Sequence, residues 1–198
     1  IEIMRGPSSV LYGAASPGGL INYVSKRPGA TVAKELEVEV GSNQRLQGQL
    51  DLGGDIDAGG NLSYRLVGVV RDSDTQVDYV HDDRIYVAPS LALQAGPNTS
   101  LTLLTHYQRD DTRSSQALPA EGLLTDNPLG TIPIDRFTGE PGVDRYESRS
   151  YSAGYELEHH VSRGVELRQK VRYSSADLDD VSVYTNALQS DGRTIDRA

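Results

Sequence analysis

From Lys34 onward, polar and apolar side chains alternate with a period of two, segment after segment, with turn residues between. In ELEVEV, Leu36, Val38 and Val40 share one face, and Glu35, Glu37 and Glu39 the other. RLQGQLDLG sets Leu46, Leu50 and Leu52 against Gln47, Gln49 and Asp51. NLSYRLVGVVR sets Leu62, Tyr64, Leu66 and Val70 against Ser63, Arg65 and Arg71. RIYVAPSLALQ, SLTLLTHYQ and SYSAGYELEHH repeat the pattern, and VELRQKVRYS closes it with Val165, Leu167, Val171 and Tyr173 opposed to Glu166, Arg168, Lys170 and Arg172. Successive side chains of a strand point to opposite faces, so this alternation predicts seven strands, each with one apolar face.

Two architectures use such strands: a soluble sandwich with the apolar face as its core, or an outer-membrane barrel with that face in lipid. Three features favour the barrel. The segments run about 9 to 11 residues, the length that crosses a bilayer at a tilt of about 45°. Apart from the short link at 41–43, the connections alternate between tight turns (GDIDAGG, AGPNT, VSRG) and long polar stretches at 72–83 and 110–147. That is the asymmetry of periplasmic turns and outer loops. Finally, the polar faces carry rows of charge that a wet lumen accepts. Val67, Val69 and Leu104 depart from the pattern on the polar face and Gln169 on the apolar one, while Pro89 is expected to cost a ladder hydrogen bond unless a bulge absorbs it. Seven strands do not close a bacterial barrel and would leave open edges in lipid, so the chain reads as an internal piece of a larger one.

Composition narrows the chemistry. Cysteine is absent, which removes disulfides and thiolate sites, and a net charge of −9 speaks against a nucleic-acid partner. No apolar run is long enough for a spanning helix. GAASPGG lacks the Lys-Ser/Thr that a phosphate loop requires, because Leu20 follows Gly19. His159 and His160 are neighbours on a strand and point apart, so with Glu156 and Glu158 they make a poor metal site. The acidic pairs and triplets in the long connections read as solvated loop charge. No nucleophile, base and orienting group converge, so an enzyme is not expected and no catalytic or metal site is assigned.

The opening stretch is of another kind. IEIMRGPSSVLYGAASPGGLINYVSKRP closely resembles the end of the plug domain of TonB-dependent outer-membrane receptors, particularly the ferric-siderophore receptor group. EVEVGSNQRLQGQLDLGG, LSYRLVGVVRDSDTQVDYVHDDRIYVAPSLAL, TSLTLLTHYQRDD, LPAEG and YSAGYELEHHVSRGVELRQKVRYS are similar to that group's first barrel strands. The resemblance implies an all-β chain: a partial transmembrane antiparallel β-barrel, about seven strands of a barrel of about 22, preceded by the C-terminal part of an α+β plug domain. Residues 1–30 are then the end of the plug and 31–198 the N-terminal barrel strands. It further implies residence in the bacterial outer membrane, in contact with its lipid, and import of a ferric siderophore as transported ligand. Energy would come from TonB with ExbB and ExbD, and no resident cofactor is implied. A passive porin-like channel is the alternative, and the plug-like opening argues against it.

Within the plug, residues 1–4 and 20–25 are expected as strands, 5–7 as a turn, 8–12 as a helix start and 13–19 as a tight loop. Arg5, Lys26 and Arg27 are placed to pair with wall carboxylates such as Glu35, Glu37 and Glu39, a polar hold that can rearrange. RDDTRSSQALPAEG is similar to the family segment that dips toward the ligand. Where relatives often place aromatics, this chain has Ser114, Ser115, Gln116 and Ala117, which argues against an aromatic-rich hydroxamate pocket. Arg113 and Gln116 are the expected contacts to an anionic iron chelate.

Overall fold

The computed structural model describes residues 2–6, 18–29, 34–114 and 117–198. The seven alternating segments form one seven-stranded antiparallel sheet in sequence order: β3 (Glu35–Val40), β4 (Leu46–Asp55), β5 (Leu62–Asp72), β6 (Asp82–Gln94), β7 (Thr99–Thr112), β8 (Arg145–Ser162) and β9 (Val165–Val181). Ahead of it, β1 (Glu2–Arg5) and β2 (Gly19–Asn22) pair as a separate two-stranded sheet with Ile3 opposite Ile21. After it, β10 (Thr185–Leu188) and β11 (Ile195–Arg197) form a small hairpin. The expected helix start at 8–12 and most of the loop at 13–19 lie outside the described residues.

The register carries each face straight across the sheet. Leu36 sits opposite Leu50, Leu52 opposite Leu66, Leu91 opposite Leu103 and Leu101 opposite Leu157. None of the described residues covers this apolar face: Leu36 is 78% exposed and Leu167 54%. Among the described residues the only buried hydrophobic side chains are Val80, Leu104 and Phe137, none of them on that face. A soluble sandwich would bury these leucines against a second layer. A sheet that leaves them bare is built for hydrocarbon.

β4 and β5 have the expected length at 10 and 11 residues and β3 falls short at 6, whereas β6 to β9, at 13, 14, 18 and 17, outrun it where the apolar face ends. Tyr107 and Tyr151 are cross-strand partners, and the Tyr151 and Tyr173 rings lie 6.1 Å apart. Past this row the same outward face becomes charged, with Arg109 3.6 Å from Glu147 and Arg145 2.7 Å from Asp179. Tyrosines at the edge of an apolar band, followed by ion pairs, mark a membrane–water interface. β8 and β9 continue beyond it as polar ribbon. Their Ser- and Asp-rich sequence no longer alternates, so the pattern alone stops at the tyrosines.

Connections alternate between rims. Residues 56–61, 95–98 and 163–164 turn at one rim; 41–45, 73–81 and 113–144 leave from the other. The short link at 41–45 therefore belongs with the long loops, and the Asp74 amide donates to the Asn43 carbonyl at 2.9 Å. At Pro89 no bulge forms. The β6–β7 register is the same on both sides, but the pairs 88/106 and 89/105 drop out of the ladder, while Leu66 still pairs with Pro89 toward β5. The missing N–H thus faces β7, and the Thr105 hydroxyl donates to the Pro89 carbonyl at 2.8 Å.

Candidate functional site

The polar face of the sheet holds the extended segment that follows β2. Asp51 on β4 and Arg65 on β5 stand diagonally, since Asp51 pairs in register with Val67. Arg65 reaches back with Nε and Nη2, each 2.8 Å from a different Asp51 oxygen. Lys26 Nζ approaches the same carboxylate at 2.5 Å. The third arm of Arg65, Nη1, donates to the Arg27 main-chain carbonyl at 3.1 Å. Arg65 therefore binds the wall and the crossing segment together.

Arg27 points the other way. Neighbours on an extended chain alternate sides, so Lys26 and Arg27 reach in opposite directions. Arg27 forms a two-armed pair with Glu156 on β8, with Nη2 3.0 Å from Oε1. Lys170 on β9, the register partner of Glu156, lies 3.6 Å from the same carboxylate. Arg172 Nη2 is 3.4 Å from the Ser25 hydroxyl. Two adjacent residues thus tie β4 to β8, which are four strand spacings apart, ~19 Å along a sheet.

Each wall carboxylate already has a wall cation beside it: Arg65 for Asp51 and Lys170 for Glu156. The Asp51 side chain is only 10% exposed, whereas Lys26 is 55% exposed and Arg27 46%. Ion pairs of such exposed side chains are worth roughly 0–1 kcal/mol each. The segment is held at several points, none of them strong.

The residues expected to form these contacts are placed as follows. Lys26 and Arg27 reach wall carboxylates, but the acceptors are Asp51 and Glu156. Glu37 takes the Gln49 amide and Glu39 takes Arg45 at 2.7 Å, both within the β3–β4 edge. Glu35 makes no ion pair among the described residues, and neither does Arg5, which is exposed on β1. The pairing departs from expectation because the segment crosses further round the wall than chain proximity suggests. Asp51, Arg65, Glu156, Lys170 and Arg172 all stand on the charged faces of their strands, but alternation carries no information on which of them a crossing segment will meet.

At the opposite rim, the outer loops make their own packed cap. Arg113 Nε donates to the Asp144 carbonyl at 3.1 Å, and Nη1 to the Tyr79 carbonyl. Asp144, 3% exposed, accepts from the amides of Glu140 at 2.9 Å and Val183 at 2.6 Å. The Phe137 ring lies 6.2 Å from that of Tyr79. Arg113 is thus spent on joining loops, and Gln116 lies outside the described residues. His159 is paired with Thr99 at 2.8 Å, and the described residues contain no cluster of metal-ligating side chains.

No family model matches the chain. It is 34% identical over 197 residues to the metal-pseudopaline receptor CntO of Pseudomonas aeruginosa, covering 100% of this chain and 27% of that protein. It is likewise 34% identical over 192 residues to the ferrichrome outer membrane transporter/phage receptor of Escherichia coli K12, covering 96% of this chain and 26% of that one. Among solved structures, the closed form of the ferric-catecholate import receptor Fiu from E. coli superposes with a TM-score of 0.85 at 24% identity, over 98% of this chain and 30% of Fiu. The chain spans about a quarter of the length of the curated relatives it matches.

Proposed function

Since the chain belongs to the TonB-dependent outer-membrane receptors, we propose that the whole protein imports a ferric siderophore across the outer membrane, driven by TonB with ExbB and ExbD. Residues 1–30 are the end of its plug, and 31–198 begin its barrel wall. One observation carries the reading: the N-terminal segment lies ion-paired on the charged face of the sheet, opposite a bare apolar face. The charged face then surrounds a lumen, and the plug fills it, as a barrel of about 22 strands needs. A porin-like channel has no use for such a filled lumen. The relatives' names, a ferrichrome transporter and a metal-pseudopaline receptor, support a metal chelate as cargo.

Weak, multiple and replaceable contacts suit a gate. When the segment leaves, Arg65 and Lys170 stay beside Asp51 and Glu156, so neither carboxylate is stranded without a partner. Arg113 serves the mouth by fixing the loops above it, and Gln116, three residues on, remains the proposed chelate contact from that stretch.

The test is uptake of 55Fe-loaded siderophores by cells whose only siderophore receptor is the full-length protein. Import that needs TonB supports the proposal. Uptake that continues unchanged without TonB, together with leakage of small sugars, would instead establish a passive channel.

A further inference from the structure

The outward face of β7 and β8 carries a mirrored pattern where the apolar band ends. On β7 alternate residues read Tyr107, Arg109, Asp111, and on the antiparallel β8 the same order runs backwards as Glu147, Arg149, Tyr151. The register sets like against like: Tyr107 opposite Tyr151, Arg109 opposite Arg149 and Asp111 opposite Glu147. Moving away from the hydrocarbon, the face therefore passes from aromatic to cation to carboxylate on both strands at once. On β9, Ser175 and Asp177 stand at the first two levels, so the pattern belongs to β7 and β8.

Like charges directly opposite one another destabilise a sheet, so this arrangement calls for counter-charge from outside it. The contacts within it are loose. Arg109 Nη2 lies 3.4 Å from Asp111 and 3.6 Å from Glu147, and Arg149 Nη2 lies 3.4 Å from the same Glu147. All three exceed the roughly 2.7–2.9 Å of a close charge-assisted bond. Arg109 Nε is buried and has no hydrogen-bond acceptor among the described residues. Asp111 also meets His81 Nε2 at 3.0 Å. Beside Arg109, a cavity of about 290 Å³ is lined by the apolar Val70 and Ile85 and by Asp72, Asp83 and Asp111.

We propose that this part of β7 and β8 is a headgroup site for a bilayer lipid, taking a phosphate ester on Arg109 and Arg149 and the ammonium beyond it on Asp111 and Glu147. A phosphoethanolamine headgroup carries its charges in that order, with phosphate next to the glycerol and ammonium further out. Tyrosines mark the interfacial level, and the arginines stand one step beyond it, at the depth of lipid phosphate. Planar guanidiniums fork phosphate oxygens, and Arg109 Nε supplies a donor that the protein leaves unused. Two cations and two carboxylates complement a zwitterion, whereas a purely anionic headgroup would be repelled at the outer level. A second copy of this chain is a poor occupant, because in the same bilayer and orientation it would bring arginine against arginine at one depth. The proposal goes beyond iron import and needs only that this face of the sheet meets lipid.

The experiment is native mass spectrometry of the purified full-length receptor, titrated with dioctanoyl phosphatidylethanolamine, dioctanoyl phosphatidylglycerol and phosphate-free dioctanoylglycerol. The tightest ethanolamine lipid should bind about tenfold more strongly than the glycerol lipid, and dioctanoylglycerol should not compete. R109Q/R149Q should weaken the ethanolamine lipid about tenfold, and D111N/E147Q should bring it down to the level of phosphatidylglycerol. R109K/R149K should keep most of the binding, since a point charge still holds phosphate. Heat-modifiable migration verifies that each variant is folded. Ethanolamine-lipid affinity unchanged in both pair variants overturns the proposal, and so does equal binding of the two phospholipids by the unaltered receptor. A receptor dimer that disappears in R109Q/R149Q would assign the face to a second copy and overturn it as well.

Discussion

Arg27, on the segment that follows β2, and Glu156, on β8, are 129 residues apart in sequence and form a two-armed ion pair. Lys170 stands 3.6 Å from the same carboxylate, so Glu156 is shared between the crossing segment and the wall itself. Arg27→Glu should loosen the segment by about 1 kcal/mol, roughly fivefold, as expected for a half-exposed pair. The double variant R27E/E156R should recover most of that loss but not all, because Lys170 then faces an arginine. Protease protection of the N-terminal segment in the full-length receptor reads this, and a swap that recovers nothing would show the pair carries no hold.

Asp51 should be far less tolerant than its partner Lys26. Lys26→Met removes an exposed ammonium and leaves Arg65 on the carboxylate, a loss below about 1 kcal/mol. Asp51→Ala strands Arg65, whose side chain is only 19% exposed, and should cost about 1–3 kcal/mol. Thermal unfolding of the two variants in detergent checks the order. Equal midpoints would mean that Asp51 serves only the segment.

The β6–β7 seam has a gap at Pro89 that Thr105 partly fills. Thr105→Val should lower stability by about 1 kcal/mol, because the Pro89 carbonyl loses a donor where no water can replace it. Pro89→Val supplies an N–H toward β7 and should raise stability by a similar amount. Hydrogen exchange at residues 104–106 would report the closed ladder. Exchange that stays fast in P89V would show that the seam is open for another reason.

The β10–β11 turn should be acid-sensitive through Asp191, whose carboxyl is held down from 3.8 to about 2 by the Thr194 hydroxyl and two turn amides. A depressed folded value means that the ionised form stabilises the turn. That contribution is fully present above the ordinary value of 3.8 and is lost as pH falls through about 2. Hydrogen exchange across 189–194, corrected for intrinsic rates, should be flat from pH 7 to 4 and rise steeply towards pH 2. Asp191→Ala, which removes the acceptor of both turn amides, should exchange fast throughout, with no acid step.

The seven strands of the large sheet and the identity of their apolar face are legible in the amino-acid sequence. Leu36, Leu50 and Leu167 lie on the bare face because the pleat makes side-chain direction a local property, settled residue by residue along each strand. Even a misfit is legible: Leu104 does fall on the charged face, where its partner Gly154 adds no side chain. A Cβ at Gly154 would run into the Val171 carbonyl. The outer extensions of β8 and β9 are not legible, because their polar residues form strand by pairing with each other and not by burying a face.

Chain chemistry alone therefore decided that these ribbons have a greasy side and a charged side, and that cations precede them at residues 26 and 27. Tertiary structure decided that Lys26 meets Asp51 and Arg27 meets Glu156, while Glu37 and Glu39 stay on their own edge. The physical reason is reach. Alternation follows from the geometry of one strand, whereas an ion pair depends on register summed across several strands and on the path of a segment over them, which no local pattern encodes.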